Sequence, residues 1–223
     1  MPVIFDAYSE AAGDTSSPAS WTHTPVGTAS LVAVWVHVDS SNQPTITAVK
    51  YGGINCTRLV RVDSFASGNG EQLWYLVDPP RGPQTVEITW TGGLSVTIYG
   101  DAITVTGSDK VRPFGGVASA VSANSPITVD VDALKGDLVI DGAILGWDAT
   151  PTINVGAGQT QNRNDNDAAS SSSRMRSMEV GVPPYVTMSW TFTGPSSNDW
   201  VIIATAIREQ NEFPPSPVVL ASC

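Results

Sequence analysis

Charge is scarce in this 223-residue chain: Asp, Glu, Lys and Arg make up 14% of it, against about 25% in an average globular domain. Basic residues are the scarcer kind, 11 against 21 acidic ones, for a net charge of −10. A field of that sign repels phosphate backbones, so nucleic acid is not expected as a partner. Two cysteines, Cys56 and Cys223, are too few for a secreted disulfide framework or a four-ligand zinc site. The only histidines, His23 and His37, have no Cys or second His at metal spacing, so neither a metal site nor a cofactor is expected. No run of about 18 apolar residues occurs, which excludes a spanning helix, and no membrane partner is expected. The opening MPVIFDAYSEAAGD lacks the basic and apolar regions of a signal peptide, so synthesis in the cytoplasm is expected.

What is present favours strands. Gly (20), Pro (16), Ser and Thr are plentiful and 41% of residues are hydrophobic, enough to build a core without a metal or disulfide staple. Period-2 alternation recurs along the chain. Val86, Ile88 and Trp90 alternate with Thr and Glu; Ile127, Val129 and Val131 with Thr128, Asp130 and Asp132; Val186, Met188, Trp190 and Phe192 with Thr and Ser. Each such run has one face for a core and one for water. Leu31–Val38, Val96–Val105 and Trp200–Ile207 are apolar on both faces and read as central strands. Turn clusters such as DSSNQP, SGNGE, DPPRGP and TGPSSND separate them.

The pattern predicts an all-β fold, an antiparallel β-sandwich of jelly-roll-like form with about a dozen strands. Residues 1–208 read as one domain, with a point of subdivision near 107–125, where periodicity is weakest. Residues 161–173, QNRNDNDAASSSS, read as an exposed loop. Residues 209–223 read as an extended Pro-rich C-terminal arm.

The motifs that would carry catalysis are missing. There is no GxSxG and no Cys near a His, so no catalytic residue is singled out and a non-enzymatic protein is expected. The pairs Asp130/Asp132 and Asp137/Asp141 could suggest glycosidase carboxylates, but they read better as a solvated strand face. The oxygen-rich NRNDND at 162–167 lacks the acidic spacing of a calcium loop. His23 and His37 read as structural. Asn55-Cys56-Thr57 fits a glycosylation pattern that means little without secretion. Trp35, Trp90, Trp190 and Trp200 read as core, whereas Trp21, Trp74 and Trp147 lie near strand ends and are candidates for glycan stacking. In the arm, Val218, Val219, Leu220 and Cys223 are candidate assembly contacts, and Cys56 with Cys223 a candidate disulfide once reducing conditions are left behind.

Several segments together, WTHT at 21–24, the apolar strand at 31–38, VKYGG at 49–53 and EQLWYLVDPPRG at 71–82, followed by GAGQTQ at 156–161, TMSWTF at 187–192 and WVIIATAI at 200–207, resemble a β-sandwich family of tailed-phage virion proteins and related bacterial proteins. The likeness spans most of 1–208 and carries no chemistry. It implies a bacteriophage virion structural protein, most simply a capsid decoration or cement protein that stabilises the head lattice. Capsid or other virion proteins would be its partners, and a homo-oligomer its expected form. The alternative is a receptor- or glycan-binding module of a tail fibre or baseplate.

Overall fold

The computed structural model describes residues 1–40, 43–64, 68–93, 95–146, 151–167, 172–193 and 200–210. All of its regular structure is antiparallel β. The first half contains β1 (Ile4–Glu10), β2 (Ala19–His23), β3 (Leu31–Asp39), β4 (Thr45–Tyr51), the two-residue β5 (Ile54–Asn55), β6 (Thr57–Asp63), β7 (Asn69–Val77), β8 (Gln84–Thr91) and β9 (Thr97–Thr106). The second contains β10 (Phe114–Ser122), β11 (Ile127–Asp132), β12 (Leu138–Gly146), β13 (Thr152–Val155), β14 (Thr160–Asp167), β15 (Ser172–Val180), β16 (Tyr185–Thr193) and β17 (Trp200–Ile207).

The halves share a plan. The first forms an inner sheet ordered β1-β9-β3-β7-β6 and an outer sheet ordered β2-β8-β4-β5. The second forms an inner sheet β10-β17-β12-β15-β14 and an outer sheet β11-β16-β13. With β5 set aside, each strand of the first half has its counterpart, in the same order, in the second. Three apolar cores lie between four layers. Val34, Val36, Ile88 and Trp90 belong to the core between the first outer and inner sheets. Leu31, Trp35, Ile103, Ile140 and Ile203 join the two inner sheets. Val129, Leu145, Trp190 and Ile202 fill the second half's own core.

Alternation explains this placement. β8 and β16 bury Val86, Ile88, Trp90 and Val186, Met188, Trp190 on one face only, as edge layers must. β3 and β17 are covered on both faces and are buried over nearly their whole length.

Two expectations need correction, and one weakly patterned stretch proves to hold a strand. Seventeen strands are described, not about a dozen. The weakly periodic stretch near 107–125 contains β10, whose Gly115, Gly116, Ala118 and Ala120 are too small to give a strong hydrophobic signal. Of the supposed loop at 161–173, residues 161–167 and 172–173 are strand, β14 pairing with β15 from Thr160↔Met178 to Asp167↔Ser172, and Arg163 is buried, while 168–171 lie outside the described residues. The charges of Arg163 and Asp165 are paired there.

Candidate functional site

Charged residues inside strands covered on both faces need partners. His37 stands near the end of the apolar run of β3, Glu71 lies in the buried part of β7, and Asp101 interrupts β9. The register puts His37 opposite both Glu71 and Tyr99, and Trp35 opposite Asp101, so all face the second inner sheet. From that sheet β15 sends Arg174 and Arg176, and β14 sends Arg163. The resulting seam lies between the two inner sheets.

In its depth, His37 Nδ1 is 2.6 Å from Glu71 Oε2 and Nε2 is 2.8 Å from Asp101 Oδ2, all three side chains being buried. The Glu71 contact is out of line for a hydrogen bond. Arg176 Nη2 lies 3.0 Å from Glu71 Oε1 and 2.9 Å from Asp101 Oδ2, abuts the His37 ring, and places its guanidinium 4.9 Å from the Trp35 ring centre. Arg163 Nη1 bonds Asp101 Oδ1, and its Nη2 lies 2.8 Å from Asp165. Arg174 shares Asp165 at 2.5 Å and stacks 3.6 Å over Tyr99. At the mouth, Glu10 Oε2 stands 3.3 Å from Arg163 Nε. The Tyr8 hydroxyl is 2.7 Å from Glu10 and 2.9 Å from Asp101, one proton between two acceptors.

Burial alone would lift the Asp101 pKa, but Arg176, the His37 hydrogen bond and Arg163 overcome it and hold the carboxyl well below its usual range. Burial and then Asp101 push the Tyr8 hydroxyl upward. Burial works against the charge of Arg163, and Asp101, together with Tyr8, Asp165 and Glu10, more than restores it. A Cβ at Gly142 on β12 would collide with Trp35 Nε1 and Arg176 Nη1. Only glycine lets both side chains cross from sheet to sheet there.

A second polar chain runs along the open edge between β1 and β2. Trp21 Nε1 donates to Ser9 Oγ (2.9 Å), and Ser9 Oγ lies 2.7 Å from His23 Nδ1. His23 Nε2 is 3.1 Å from Thr104 Oγ1, which donates to Asp6 Oδ2 at 2.9 Å. The directions agree if Nε2 carries the hydrogen and Nδ1 accepts from Ser9. Burial lowers the His23 pKa to about 4, with Asp6 opposing. The serine already serves Trp21 and the histidine is fully buried, so the chain satisfies internal polar groups.

Asp141 is the third buried polar centre and, with Asp137, departs from the expected solvated face. It accepts from the Ser177 amide (2.7 Å), Trp190 Nε1 (2.9 Å) and Gln159 Nε2 (3.3 Å). Burial still prevails and raises its pKa to about 6. Asp130 and Asp132 are exposed.

Trp74 is buried in the first core. Trp21 is half-buried, its ring lying where Gly100 leaves no room for a Cβ. Cys56 is buried, and burial pushes its thiol up to about 12. Trp147, Val218, Val219, Leu220 and Cys223 lie outside the described residues. Among the described residues no group of three or more His, Cys, Asp or Glu is placed to hold a metal ion.

The seam was missed in the sequence, although it left a signal. His37 and Asp101 each stand within an apolar run, Glu71 lies in a buried strand beside Gln72, and Arg174 and Arg176 alternate with Met175 in β15. No family model, curated protein or solved structure matches this chain.

Proposed function

We propose that this chain is a non-enzymatic structural component of a virion, a capsid decoration or cement protein with a jelly-roll-like β-sandwich in each half. One observation carries the reading: exposed apolar side chains gather at one end of the molecule. Backbone bonds tie that end together, Met1 N to Gln210 O (2.9 Å), Val3 N to Gly136 O (3.0 Å), Gln210 N to Gly107 O (2.8 Å) and Gly181 N to Asp137 O (2.8 Å). Met1, Ile4, Val111, Leu134, Val180, Val182 and Tyr185 are exposed on these segments and their continuations, seven of the eleven exposed large hydrophobics among the described residues. Such gathering marks a docking face.

Four of the chain's 11 basic residues, Lys110, Arg112, Lys135 and Arg208, line a depression in the same end. Gln210, the last described residue, lies in it. Contacts made only in the assembled lattice stabilise that lattice by their binding free energy. The buried seam supports a rigid body for this role. The receptor or glycan alternative draws less support, since Trp74 is core and Trp21 half-buried.

Quantitative mass spectrometry of purified particles tests the reading. Hundreds of copies per particle are expected; absence from particles would overturn it. Leu134→Asp with Val182→Asp should abolish binding to stripped particles while leaving the urea midpoint unchanged.

A further inference from the structure

Every sheet of this fold has free edges, and most are guarded. β1 carries Asp6 and Glu10, β6 carries Arg58, Arg61 and Asp63, β14 carries Arg163 and Asp165, and β11 carries Asp130 and Asp132. β2, β13 and β5 are short, at five, four and two residues. Charge and shortness are the usual protections against strand addition. β10 has neither. It is nine residues long, FGGVASAVS, with no charge and no proline, and among the described residues it pairs only with β17. After a bulge between Phe114 and Val117 it runs regularly from Val117↔Thr205 to Ser122↔Trp200. Val117 and Val121, 43% and 44% exposed, form an apolar row beside the open edge.

We propose that this edge receives residues Val218–Cys223 of a neighbouring copy as an added antiparallel strand. The inference deepens the assembly reading above and does not depend on which particle the chain joins. Pro214, Pro215 and Pro217 cannot donate to a ladder, so VVLASC is the longest proline-free run of the arm. These six uncharged residues match the regular stretch of β10 in length and character. Reach argues for a neighbour. β17 carries the chain away from the Ser122 end as far as Ile207, Glu209 continues it in an isolated antiparallel bridge with Ser108, and Gln210 stands ten residues past Trp200, roughly 33 Å for an extended chain. Antiparallel addition needs Val218 at the Ser122 end, but the eight steps from Gln210 to Val218 span at most about 29 Å. The arm therefore falls short of its own edge in this sense, and another copy's arm is under no such limit. Main-chain bonds would supply affinity, and the Val117/Val121 row would select apolar residues.

Sedimentation velocity of the full chain under reducing conditions, over a hundredfold range of concentration, tests this. The wild type should associate, and Val121→Lys should weaken association at least tenfold. Val219→Asp with Leu220→Asp in the arm should do the same, and mixing the two variants should restore association as far as a heterodimer, because the intact arm of the Val121→Lys chain then meets the intact edge of the arm variant. Hydrogen exchange on the same samples should show protection of 218–223 that disappears in Val121→Lys. A wild type that stays monomeric overturns the proposal, whether 218–223 exchange freely or are protected by their own body. Association unchanged in Val121→Lys overturns it too. None of these outcomes bears on whether particles contain the protein, which copy number decides.

Discussion

At the scale of single residues, the interior ionisable groups set opposite responses to acid. The folded-state pKa of His23 is lowered to about 4 from 6.5. The unfolded chain therefore takes up that proton first, and stability is lost as pH falls from about 6.5 to about 4. Asp141 is raised to about 6 from 3.8. The folded form takes up that proton first, and stability is gained as pH falls from about 6 to about 4. The two slopes offset each other in the wild type. Asp141→Asn should unmask His23, giving a urea midpoint that drops steeply between pH 6.5 and 4; a profile parallel to the wild type would refute the assignment. Asp101 is depressed, so its contribution is present above the unfolded carboxyl pKa and is lost in more acidic solution. Arg176→Met leaves Glu71 and Asp101 buried without their shared cation, and should cost about 3–5 kcal/mol in urea denaturation. Cys56, with its thiol raised to about 12, should resist iodoacetamide at pH 8 in the folded protein and react in 8 M urea, about the strongest condition in routine use.

At the scale of elements, β8 and β16 are counterparts that share a written pattern. Val86, Ile88, Trp90 and Thr91 correspond to Val186, Met188, Trp190 and Thr191, and both strands follow a Pro-Pro pair, at 79–80 and 183–184. Truncating either tryptophan to Ala should cost about 3–5 kcal/mol. Trp190→Ala should be the worse of the two, because it also removes a donor from Asp141; equal losses in chemical denaturation would count against that bond. The alternating strands and the central apolar runs were legible in the sequence because each buried side chain announces its face. β10 was not, since alanines and glycines alternate without contrast. β14 was hidden for a different reason: besides Asp165 on its own strand, Arg163 finds partners on β1 and β9, some 60 residues or more away in sequence, and a local reading sees only polarity. The pairing of one half with the other was written in repetition, visible only when β8 and β16 are set side by side.

At the scale of the whole molecule, the inner sheets meet through two unlike surfaces. Toward β6 and β10 the contact is apolar, with Tyr75 and Phe114 edge to face at 4.8 Å. Toward β1 and β14 it is the ionic seam. Apolar burial gives cohesion but tolerates sliding, whereas buried ion pairs are costly to misplace. The seam therefore fixes how the halves sit on each other. Calorimetry should show one cooperative transition for the wild type, and Arg176→Met combined with Glu71→Gln should broaden or split it; two separate transitions in the wild type would show that the halves unfold independently.

The bond from Met1 N to Gln210 O has a consequence for chain connectivity. Met1 and Gln210 lie side by side, at the same end as the exposed stretch around Lys110 and Val111 that joins the two halves. Circularly permuting the chain, with a short Gly-Ser bridge from Gln210 to Met1 and new ends between Lys110 and Val111, would reverse the order of the halves and preserve every strand pairing. Folding of such a permutant would show that this architecture is indifferent to which half is made first.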